Sequence, residues 1–103
     1  MTMKLHCFGE SGNAYKAALT LALADQEWEP VNVDFFNGAT RTPEFRALNV
    51  MGEVPVLEDG DVTIMESGAI LEYLLTRHGD GRFRPAPDSV DFPAYLQWLH
   101  YAE

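Results

Sequence analysis

A chain of 103 residues has room for one domain and little more. With 47% hydrophobic and 22% charged residues, it has the composition of an ordinary globule rather than a disordered tail. Seven Lys plus Arg against sixteen Asp plus Glu leave a net charge of −9, which argues against nucleic acid or an anionic membrane as partner. No apolar run approaches the roughly 20 residues of a membrane span, and the opening MTMKLHCFGE lacks a signal-peptide core. The single cysteine, Cys7, excludes an intrachain disulfide and a Cys-rich metal site, so a reduced, cytoplasmic setting is expected.

In chain order, MKLHCF at 3–8 reads as a strand with Leu5 and Cys7 on one face and Lys4 and His6 on the other. Gly9 ends it, and Ser11-Gly12-Asn13 supplies turn and capping residues. The Ala- and Leu-rich stretch from Ala14 to Ala24 predicts a helix, with Ala14, Ala17, Ala18, Leu21 and Ala22 on one face. Small residues there let a helix lie close to a sheet. Trp28 to Phe35 alternates as a second strand, and Pro30 marks it as starting late or lying at an edge. Asn37-Gly38 turns the chain. Thr42-Pro43-Glu44 then opens a short helix, with a capping hydroxyl, a proline in the first turn and an acid at the positive end of the dipole. That helix stops near Asn49.

Two apolar runs, Pro55 to Glu58 and Asp61 to Met65, meet at Asp59-Gly60, a hairpin signature. Ser67 reads as the N-cap of a helix carrying Ile70, Leu71, Tyr73, Leu74 and Leu75 and ending at His78-Gly79. Residues 79–88 are rich in Gly, Pro and charge, and a further helix begins at Phe92. Strand, helix, strand implies a parallel pair joined by a right-handed crossover, and the hairpin adds two antiparallel strands. The expected fold is α/β: a mixed four-stranded sheet, β-α-β-α-β-β-α, with helices on both faces and the start of an all-helical unit after it.

The stretch NVMGEVPVLEDGDVTIMESGAILEYL at 49–74, together with SGNAYK at 11–16 and TPEFRALN at 42–49, resembles the glutathione transferase family. The resemblance covers roughly residues 3–80. It implies a thioredoxin-like, glutathione-binding domain over 1–79, a linker at 80–88 and the truncated first helix of a helical C-terminal domain at 89–103. It implies glutathione as co-substrate, no metal, an electrophilic small molecule as second substrate, and a homodimer. By the same resemblance, Val54-Pro55 carries a cis bond and the backbone of Val54 pairs with the cysteinyl part of glutathione.

The residue chemistry agrees. Glu66 offers a carboxylate for an ammonium, while Ser67 and a helix N-terminus offer a hydroxyl and N–H groups for a carboxylate, and the γ-glutamyl end of glutathione carries both. A thiol of pKa near 8.5 needs a drop of roughly two units, about 2.7 kcal/mol, to be mostly thiolate at neutral pH. A helix N-terminus contributes about 0.3–1 kcal/mol, up to about 2. A hydrogen bond to the charged sulfur adds about 1.5–3 kcal/mol. Ser11, at the turn before the first helix, is therefore the candidate thiolate donor, with Asn13 as its alternative. Phe8 stands near where other branches of the family keep a tyrosine, which points to the serine-type branch.

Arg41 falls where relatives place a basic residue against the glycine carboxylate of glutathione. Glu53 departs from the Gln or Lys that relatives often carry, and an acid there repels that carboxylate unless Arg41 compensates. Cys7 reads as a small core residue. His6, His78 and His100 are too scattered in sequence for a metal site. Two other readings stay open: a non-catalytic interaction domain that keeps the fold, and a glutathione-dependent thiol–disulfide oxidoreductase, which would want a cysteine near position 11.

Overall fold

The computed structural model describes residues 2–102. Its four-stranded sheet has the order β2-β1-β3-β4, from β1 (Met3–Cys7), β2 (Trp28–Asn32), β3 (Val56–Asp59) and β4 (Val62–Met65). β1 runs parallel to β2 and antiparallel to β3, and β3 pairs antiparallel with β4, so the mixed sheet expected from the element order is the one observed. Pro30 lies in the edge strand β2, where a missing ladder donor costs least. β2 ends at Asn32, earlier than the alternation suggests. Val33 stays beside β1 through its N–H to the Cys7 carbonyl at 2.8 Å, and the chain then coils into short turns at Phe35–Asn37 and Ala39–Arg41.

Helix α1 (Gly12–Leu23) begins where Ser11 Oγ accepts the Ala14 N–H at 3.1 Å. Helix α2 (Pro43–Leu48) starts in the same manner, with Thr42 Oγ1 accepting from Phe45 N–H at 3.2 Å and donating to the Ala39 carbonyl at 2.8 Å. Helix α3 (Ser67–His78) differs from expectation at its start. Glu66, with φ 75°, is the capping residue, and Ser67 is the first residue inside the helix, with no side-chain cap at this end.

Two apolar clusters sandwich the sheet. Met3, Leu5 and Leu57 pack against Ala17 and Leu21 of α1 and Ile70 and Leu74 of α3, with Cys7 partly buried alongside. On the opposite face Val33 and Val56 pack against Phe45 of α2. Ala14 and Ala17 are nearly inaccessible, which brings α1 close to the strands, whereas Ala22 faces solvent.

Away from Ser67, a polar clasp ties the hairpin to the C-terminal half of α3. Asp59 Oδ2 accepts from the Tyr73 hydroxyl at 2.7 Å and from His78 Nε2 at 2.9 Å. The Tyr73 hydrogen bond leads in holding the Asp59 carboxyl below its ordinary range. His78, read from sequence as the end of this helix, thus also reaches across to the hairpin. The last helix, α4 (Phe92–Tyr101), rests on α3 through Tyr95, whose hydroxyl donates to Glu72 Oε2 at 2.9 Å. Burial, and then this bond, push the Tyr95 phenol up to about 12. No helix among the described residues is long and apolar enough to cross a membrane.

Candidate functional site

The C-terminal end of β1, the N-terminal turns of α1 and α3, and the loop before β3 converge on one side of the molecule. There they form two cavities of opposite character. The first, of about 210 Å³, is polar and is lined by Asn13, Asn49, Met51, Glu53, Val54, Pro55, Met65, Glu66 and Ser67. The second, of about 360 Å³, is mostly apolar and lies along α1 and β2, lined by Cys7, Phe8, Gly9, Ser11, Ala14, Tyr15, Ala18, Pro30 and Asn32.

In the polar cavity the hairpin delivers Glu66 directly from β4 into α3. A non-glycine residue at φ 75° is strained by about 1–3 kcal/mol, and such strain persists only where its surroundings hold it. Its effect is to turn the chain sharply, so that the Glu66 side chain and the first turn of α3 share one cavity. Ser67 is 4% exposed, and the N–H groups of Gly68 and Ala69 that follow it have no carbonyl partner within the helix. A helix N-terminus of this kind attracts carboxylates.

Across the cavity, Val54 and the buried Pro55 lead into β3, and the bond between them is cis. Asn49 holds the loop that presents them. This side chain is 2% exposed; its Nδ2 donates to the Glu53 carbonyl at 2.8 Å and its Oδ1 accepts from Met51 N–H at 3.0 Å. Gly52, at φ 66°, passes so close to the Thr40 carbonyl that a Cβ would come within 2.9 Å of it. The sequence reading took Asn49 as the end of a helix and as the first residue of the loop motif that carries the family resemblance, but gave its side chain no bracing role.

The candidate residues separate between these cavities. Glu53, Val54, Pro55, Glu66 and Ser67 come together in the polar one, with Asn13 beside them. Ser11 lines the apolar one, and because its Oγ only accepts from Ala14, its own proton remains available to donate. Arg41 lines neither; its guanidinium folds back over Gly38, with Nη2 2.9 Å from where a Cβ would stand. Phe8 joins the apolar cavity to an aromatic cluster, stacking on Phe35 at 4.6 Å, with Phe36 set edge-on to both rings. Cys7 is half-buried, and burial pushes its thiol pKa up, away from the thiolate a nucleophile needs. No cluster of three or more metal-ligating side chains occurs among the described residues.

A parallel–antiparallel sheet of this order, with a helix N-terminus and a proline-led strand facing one polar cavity, defines a thioredoxin-like domain. Residues 1–76 match the glutathione S-transferase N-terminal domain, and the chain belongs to that family. It is 43% identical over 72 residues to glutathione S-transferase 1 of Dianthus caryophyllus, covering 70% of this chain and 33% of that protein. It is 37% identical over 101 residues to a glutathione S-transferase of Silene vulgaris, covering 95% and 46%. Among solved structures, a glutathione transferase of Phanerochaete chrysosporium crystallised with oxidised glutathione superposes with a TM-score of 0.90 at 31% identity, over 97% of this chain and 47% of that one. The chain thus spans less than half the length of these relatives.

Proposed function

We propose that this chain is the glutathione-binding domain of a glutathione transferase that activates the glutathione thiol for attack on electrophilic small molecules. The observation that carries the reading is the polar cavity, where Glu66 and the N-terminal turn of α3 face Val54-Pro55. Glu66 suits the γ-glutamyl ammonium, and Ser67 with the helix N-terminus suits the adjacent carboxylate. The backbone of Val54 suits the cysteinyl unit. The oxidised glutathione in the Phanerochaete structure supports a glutathione ligand here.

Placed so, the cysteinyl sulfur points towards the N-terminus of α1; the thiol releases its proton to solvent, and the Ser11 hydroxyl donates a hydrogen bond to the thiolate, to which the helix dipole adds. The thiolate then attacks the electrophile; its sulfur forms the new bond and the leaving group departs with the displaced electron pair. The apolar cavity beside Ser11, with the Phe8–Phe35–Phe36 cluster, offers such a molecule a water-poor flank. Residues 1–79 make up the binding domain, 80–88 the linker and 89–103 the opening of a helical domain. The setting is cytoplasmic and the assembly a homodimer. A second reading, an interaction domain without catalysis, is favoured by the exposure of Trp98 and Tyr101 on α4.

One experiment separates the two. Ultraviolet titration of the bound thiolate should give an apparent glutathione pKa well below 8.5 in the unaltered protein. Ser11→Ala should raise it by about one unit or more, the loss expected for a hydrogen bond to a charged group, while Ser11→Thr keeps both cap and hydroxyl. A shift with Asn13→Ala and none with Ser11→Ala would make the asparagine the donor. A bound thiol that titrates as it does free in water would favour the interaction domain.

A further inference from the structure

Within the glutathione reading, on which this step rests, we infer that the polar cavity favours γ-glutamyl thiols whose far end is an amide or an amine over those ending in a free carboxylate. The charged side chains lining the cavity, among the described residues, are two carboxylates, Glu53 and Glu66. They stand at different ends of it in chemical terms. Glu66 adjoins the first turn of α3, whose partial positive charge welcomes a ligand carboxylate beside the ammonium that Glu66 takes. Glu53 adjoins Val54 on the side away from Pro55, where a ligand extended along Val54 would bring its third residue.

Among the described residues, no lysine or arginine lines the cavity with Glu53. Of the two arginines of this region, one donates to a backbone carbonyl and the other lies over a glycine. Arg41 lies over Gly38, and Arg46 donates from Nη1 to the Val50 carbonyl at 3.1 Å while its Nη2 packs 3.2 Å from the Cβ position of Gly52. Neither lines the cavity. Glu53 in turn is held in place through its carbonyl, which accepts from the buried Asn49. The net charge of −9 adds a weaker bias of the same sign. A terminal carboxylate therefore meets repulsion here, an amide meets none, and an amine meets attraction.

Calorimetry with two probes, glutathione and its C-terminal carboxamide, tests this at low ionic strength. The carboxamide should bind about threefold more tightly, the scale of one partly exposed charge pair, and the margin should shrink as salt is added. Glu53→Gln should remove the margin by tightening glutathione and leaving the carboxamide unchanged. Equal binding of the two probes, or tighter glutathione, would overturn the inference while leaving the glutathione reading intact. So would an Arg41→Ala protein that weakens glutathione and spares the carboxamide, because the arginine would then be serving the carboxylate. Failure of both probes to bind would remove the glutathione reading and this inference with it.

Discussion

Helices α3 and α4 are both rich in large apolar side chains, yet they live in different surroundings. Ile70, Leu74 and Leu75 of α3 are buried against the sheet and α1, whereas α4 buries no residue and leaves Trp98 59% and Tyr101 79% exposed. The difference lies in what each helix has to pack on. α3 follows directly from β4 and covers the sheet, so its apolar stripe meets Leu5, Leu57 and α1. α4 follows a turn-rich segment and meets α3 through the bond from Tyr95 to Glu72, with Leu96 and His100 facing the first turn of α3 across an open cleft. A helix anchored on a sheet can hold a binding residue in place; a helix anchored on another helix's flank presents a surface.

The sharpest way to test that contrast is to cut one side chain from each. Leu74→Ala empties a fully buried position and should cost about 2–5 kcal/mol in denaturant unfolding, with an unchanged slope. A cost below about 1 kcal/mol would mean that α3 is not the rigid element described above.

Rigidity at the start of α3 should appear in binding. Ser67→Ala removes a nearly buried hydroxyl at the helix N-terminus and should weaken glutathione by about 1–3 kcal/mol, the range for a charged group left short of a partner. Because Glu66 rather than Ser67 is the cap, stability should change less than affinity. Calorimetry and unfolding on the same variant read the two effects separately; unchanged affinity would return Ser67 to a structural role.

Much of this contrast was open to reading from sequence, for reasons that vary with position. The caps at Ser11 and Thr42 and the Asp59-Gly60 hairpin are local chemistry, decided within four residues, and they stand where the residue types put them. The gathering of Glu53, Val54, Pro55, Glu66 and Ser67 came from the family resemblance rather than from periodicity. What escaped depends on backbone angles or distant neighbours. Ser67 looked like a cap because serine is a good one, but the positive φ of Glu66 moves the boundary by one residue. Arg41 has the type expected of a ligand residue, and only the path of the chain at Gly38 shows where its guanidinium rests. The bond between Asp59 and His78 joins residues 19 apart, beyond any local pattern.

The smallest expected change falls on α4, and it separates exposure from assembly. Trp98→Ala removes a largely exposed ring, so the unfolding free energy of the monomer should move by no more than about 0.5 kcal/mol. If the exposed ring is instead an interface residue, the unaltered chain should sediment as a dimer at micromolar concentration and Trp98→Ala should shift it towards monomer, since buried aromatics dominate interface energetics. A chain that sediments as a monomer with little binding of hydrophobic dye would end the dimer proposal. Tyr95 supplies an internal control on whether α4 stays docked meanwhile. Its phenol is raised to about 12 from an unfolded value near 10, so its contribution is complete below pH 10 and is lost only as pH climbs through about 12. A phenolate titration in which Tyr95→Phe removes the latest-ionising tyrosine places α4 on α3 in solution. Tyr73 is also raised, by burial and its bond to Asp59, so the readout is the Tyr95→Phe difference; if that variant leaves the latest titration unchanged, α4 is detached, and the small cost of Trp98→Ala would then say nothing about its surface.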